Sequence, residues 1–155
     1  MLAEFIETVD QETELLKEFC YRLTILKALV VCDTHESIPR AVRDTESVYE
    51  QIKIAELVRS SATIKLIDEL GLDPESAMDI IAKNVPDAWG EIILDRRTTM
   101  LKMLNTINSE TKSLSESLSQ RINQSKEALD FIGKHTGLTY GKSTPQGGML
   151  VTGAI

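Results

Sequence analysis

Leu2, Val9, Leu16, Leu23 and Val30 stand seven residues apart, and Phe5, Glu12, Phe19 and Leu26 fill the alternate position between them. An apolar repeat of seven gathers its side chains into one seam along a helix, and that seam has to be covered by other helices. Ile6, Leu15 and Cys20 widen the seam into the broader face of a core-facing bundle helix. Glu12 is the one polar residue in the repeat. A chain of 155 residues is one domain by size and can bury a real core. Only 5% of it is aromatic, and glycine is scarce before residue 134, which suits a helical bundle better than a β-sandwich.

The repeat stops at Asp33-Thr34-His35-Glu36-Ser37, a short polar connection that makes its flanking helices antiparallel neighbours. Asp33 or Thr34 is expected to cap the second helix, with Pro39 tolerated near its start. The second helix runs to Leu70 and carries Ile38, Val42, Tyr49, Ile52, Leu57, Ile64 and Ile67, a stripe that drifts around its axis. Gly71 ends it by supplying a left-handed residue, and Leu72 packs back on the last turn. Asp73-Pro74 reads as a cap followed by proline at the first helical position, opening a short helix with Met78 and Ile81. Val85-Pro86-Asp87 closes that helix, and Asp87 caps the next.

From Ala88 to Gly133 the chain has no proline, and Ile93, Met100, Leu104, Ile107, Leu114, Leu118, Ile122, Leu129 and Ile132 recur at helical spacing. Such a helix would be roughly 65–70 Å long. Its second half is rich in hydroxyls (Ser109, Thr111, Ser113, Ser115, Ser117, Ser119 and Ser125), which are mediocre helix formers because their side chains compete for the backbone. That half is a solvated helix end or a segment ordered by a partner that covers its stripe. Gly137, Gly141, Pro145, Gly147, Gly148 and Gly153 then make a flexible tail, in which Leu138, Tyr140 and Met149-Leu150-Val151 are either the odd apolar residues of a plain disordered end or a short docking element. The expected architecture is all-α: an antiparallel long-helix hairpin joined by a third long helix, a three-helix bundle of coiled-coil-like packing. Its helices span about 2–32, 37–70, 74–84 and 88–133, so that residues 1–133 form the helical domain and 134–155 the tail.

The net charge of −7 disfavours nonspecific binding to nucleic acid or anionic membrane. Glu4, Glu7 and Asp10 interrupt the place where a signal peptide would be apolar, and no apolar run approaches a membrane span. A cytoplasmic location is expected, with Cys20 and Cys32 reduced. Neither common nucleotide-binding glycine motif is present, nor a His-Glu-x-x-His or Glu-x-x-His pair. Cys32 and His35, beside Asp33 and Glu36, could offer a zinc pair, but no second pair of matching spacing completes four ligands. No metal, cofactor or enzymatic activity is expected.

In layout the chain resembles the FlgN-type flagellar export chaperones. The resemblance rests on the polar corner Val31-Cys32-Asp33-Thr34-His35-Glu36, the Glu69-Leu70-Gly71-Leu72 stop, Leu104-Asn105-Thr106-Ile107-Asn108 in the third long helix, and the tyrosine-containing Leu138-Thr139-Tyr140-Gly141. Thr111 and Lys112 depart from it, since the family often has an apolar pair there. The resemblance implies a chaperone for hook-associated proteins at the hook–filament junction. Such a chaperone holds the client's C-terminal helical segment and delivers it to the export gate of the type III apparatus. Leu114, Leu118, Ile122, Leu129 and Ile132 would then form the client stripe, with Tyr140 a docking residue for the export machinery. Asn105 and Asn108 share a face, either to bond a neighbouring helix or as solvated surface. The alternative is a self-associating coiled-coil module, a homo-oligomer that buries the same stripe.

Overall fold

The computed structural model describes residues 1–32 and 34–136, and side chains as far as Lys134. The protein is all-α: among the described residues there are four helices, α1 (Leu2–Val31), α2 (Ile38–Leu70), α3 (Met78–Lys83) and α4 (Asp87–Thr136), and no strand. None is long and apolar enough to cross a membrane. The chain divides into two compact units, Met1–Ser119 and Gln120–Ile155. Among the described residues Leu114 is the last buried one of α4, so core contacts run out well before Lys134.

In the first unit the seven-residue repeat of α1 is the spine of the core. Phe5, Val9, Leu16, Leu23, Leu26 and Val30 are buried, and Leu2 and Phe19 pack against them. α2 runs antiparallel to α1: Arg22 approaches Asp44, the rings of Phe19 and Tyr49 lie 6.0 Å apart, and Glu12 pairs with Arg59. α4 runs parallel to α1. Arg96 lies 2.6 Å from Asp10, the Cys20 thiol donates to the Met103 carbonyl at 3.9 Å, and Lys27 lies 3.3 Å from Glu110. Its buried residues Ile93, Met100, Ile107 and Leu114 stand seven apart, so α4 joins the core along a narrow seam.

The polar residue in the α1 repeat is satisfied rather than exposed. The Glu12 side chain is 6% exposed and accepts from the Arg59 Nε at 2.5 Å. Removing Arg59 would strand the buried Glu12 carboxylate, at a cost of about 3–5 kcal/mol. The buried hydroxyls of Thr8, Thr13 and Thr45 donate to the carbonyls of Phe5, Val9 and Ala41 one turn back, so they bring no unmet polar group into the core.

The helix ends correct three expectations. Asp33 lies outside the described residues, and Ser37 rather than Thr34 stands at the head of α2, with no side-chain cap bond. The Ser37 carbonyl starts the helix by accepting the Ala41 N–H at 3.1 Å, and Pro39 sits in the first turn as expected. Asp73-Pro74 does not open α3. Asp73 accepts the Glu75 N–H on its side chain and the Ser76 N–H on its carbonyl, which makes a turn; Ala77 is then extended and α3 starts at Met78. Asp87 lies inside the first turn of α4, because the Pro86 carbonyl already takes the Trp89 and Gly90 N–H groups; its carboxylate still complements the positive helix start.

Gly71 ends α2 as expected. Its φ is +64°, its N–H donates to the Asp68 carbonyl, and the Leu72 N–H donates to the Ile67 carbonyl, the paired bonds of a Schellman motif. Gly90 has a different reason to be glycine. A Cβ there would stand 2.5 Å from the Ala82 carbonyl oxygen, so α3 presses on the first turn of α4 where any side chain would collide.

Candidate functional site

The residues expected to hold a client fall into two groups. Leu114 is 8% exposed and belongs to the core, so its side chain is not offered to a partner. The α4 register explains this: Glu110 faces Lys27, and the next turn places Leu114 level with the last turn of α1, where Val30 is buried. Leu118 is 40% exposed and lies one turn further along.

In the second unit, α4 continues from Gln120 to Thr136 and carries Ile122 (55% exposed), Leu129 (57%) and Ile132 (43%). None of the residues from Ser115 to Lys134 is buried. Phe131, at 62%, is a large apolar residue on the same segment that the expected stripe does not include. It falls outside the three-and-four spacing of Leu118, Ile122, Leu129 and Ile132, so a periodicity argument passes over it. Full burial of such side chains is worth about 1.5–3 kcal/mol each, and here much of that gain is unrealised.

Four hydroxyl groups along α4 bond back to their own helix. Thr98, Thr99, Thr106 and Ser117 donate to the carbonyls of Leu94, Asp95, Lys102 and Ser113, each four residues back. These bonds satisfy the hydroxyls without tying α4 to another element. Asn105 and Asn108 are both exposed, the solvated of their two expected settings. Tyr140 and the rest of the 137–155 tail lie outside the described residues.

Among the described residues no group of three His, Cys, Asp or Glu side chains could hold a metal ion. Cys20 and Cys32 are both free thiols. Burial first, then the nearby Glu110 carboxylate, push the Cys20 thiol above its ordinary pKa, which keeps it in the unreactive neutral form. What the α4 segment offers is apolar helical surface at helical spacing. No family model, curated protein or solved structure matches the chain.

Proposed function

We propose that the protein is a cytoplasmic, non-enzymatic export chaperone that holds the C-terminal helical segment of a flagellar hook-associated protein for delivery to the type III export gate. The observation that carries this reading is the exposure of Leu118, Ile122, Leu129 and Ile132 on a helix whose earlier seven-residue seam, Ile93, Met100, Ile107 and Leu114, is buried. An amphipathic client helix lays its apolar face on such a stripe and completes the burial that the chain itself leaves undone. The layout shared with FlgN-type chaperones supplies the client class. The hydroxyl-rich sequence around the stripe suits a segment that a client orders on binding. Asn105 and Asn108 contribute solvated surface in this reading, and Leu114 anchors the helix rather than the client.

The test is Leu118→Asp combined with Ile122→Asp, measured by calorimetric titration with a hook-associated protein's C-terminal helical segment. The double variant is expected to keep its helical circular dichroism and to bind at least about a hundredfold more weakly, since two apolar anchors are lost to charge. Unchanged affinity would overturn the placement of the site. Loss of folding would mean that these side chains belong to the core.

A further inference from the structure

The outward face of α2 carries a second apolar stripe that neither the core nor the client reading uses. Ile54 is 63% exposed, Leu57 72%, Val58 49% and Ile64 57%. Steps of three and four place them on one side of the helix, with the exposed Ser61 at its centre. The core side of α2, marked by Ile52, Leu66 and Ile67, faces the opposite way. Residues that bury nothing in α2 itself still follow a strict helical face, and a face of that kind is what a helix partner reads.

We propose that this face packs antiparallel on the same face of a second copy of this chain, about a two-fold axis at Ser61. A two-fold contact must be self-complementary, and the sequence around Ser61 meets that demand. In this register Val58 of each copy meets Ile64 of the other, and Leu57 meets the methylene stem of Lys65. Ser60 and Ser61 at the centre are small and exposed, so the two backbones can approach closely. Lys53 at one end comes opposite Glu69 at the other, twice by symmetry, with Asp68 one position along, opposite Ile54. Lys53 is already held 2.7 Å from Glu50, so the second copy extends an existing charge pair into a network. A parallel pairing would instead stack Lys53 on Lys53 and Asp68 on Asp68, like charge on like. Beside the stripe, Leu57, Val58, Ser61 and Ala62 line an open groove against Glu4 and Thr8 of α1, which seats the apolar side chains of the second copy.

Sedimentation velocity on the full chain tests this. The wild type is expected to show a concentration-dependent monomer–dimer equilibrium, and Leu57→Asp with Ile64→Asp to weaken it by more than about a hundredfold at unchanged helix content. Lys53→Glu and Glu69→Lys are each expected to weaken self-association, and an equimolar mixture of the two to form mixed dimers in preference to either alone. Register is read by cross-linking in a Cys32→Ser background. Ser61→Cys lies on the axis and is expected to close an intermolecular disulfide. Ser47→Cys on the same helix would stand about 40 Å from its mate and stay reduced. A wild type that is monomeric across its soluble range overturns the proposal. So does a dimer that survives the Asp double variant, or equal cross-linking at positions 47 and 61. The α4 client site is tested separately by its own substitutions.

Discussion

α4 is one helix with two environments. Up to Leu114 it places a buried residue against α1 every two turns, at Ile93, Met100, Ile107 and Leu114. After Leu114 it keeps apolar residues at similar spacing, and none of those described is buried. The periodicity of a helix tells which side chains share a face. Whether that face is covered depends on where the neighbouring helices end, and α1 ends at Val31. The seven-residue seam is therefore core in one stretch, and the apolar residues that follow it are surface.

Substitutions sharpen that contrast, beginning with the largest effect. Ile93→Ala or Ile107→Ala should cost about 2–5 kcal/mol in chemical denaturation, because each empties a site that the bundle cannot fully collapse around. A cost below the range for both would mean that the α4 seam is loosely packed. Gly90→Ala comes next, at about 1–3 kcal/mol, since its Cβ meets the Ala82 carbonyl and backbone cannot step aside as a side chain can. A neutral result would mean that α3 gives way. Smallest are Ile122→Ala and Leu129→Ala, each expected within about 0.5 kcal/mol of wild type. A large loss at either would erase the distinction between the two stretches.

Much of this fold is legible in the sequence, and the parts that are not share a cause. The seven-residue repeat marks α1 and its buried seam, and the Gly71-Leu72 stop marks the end of α2, because both depend on contacts within a few turns. Glu12 reads as a blemish in the repeat, since its partner Arg59 lies 47 residues away on another helix. The drifting stripe of α2 is two faces read as one: Ile52 and Ile67 point into the core while Leu57 and Ile64 point out. Asp73-Pro74 carries the residues of a helix start, yet the same carboxylate closes a turn equally well, and the extended Ala77 decides between them. In the candidate site, spacing finds Leu118, Ile122, Leu129 and Ile132. It cannot assign Leu114 to the core, because only the register of α4 against α1 places that residue beside the last turn of the neighbouring helix.

Hydrogen exchange along α4 in the full chain tests the central claim most directly. Amides from Ile93 to Ile107 are expected to be strongly protected, and those from Ile122 to Ile132 to exchange orders of magnitude faster until a hook-associated client segment is added, when they slow. Equal, strong protection of both stretches in the unbound protein would contradict the account, since the apolar residues beyond Leu114 would then already be covered.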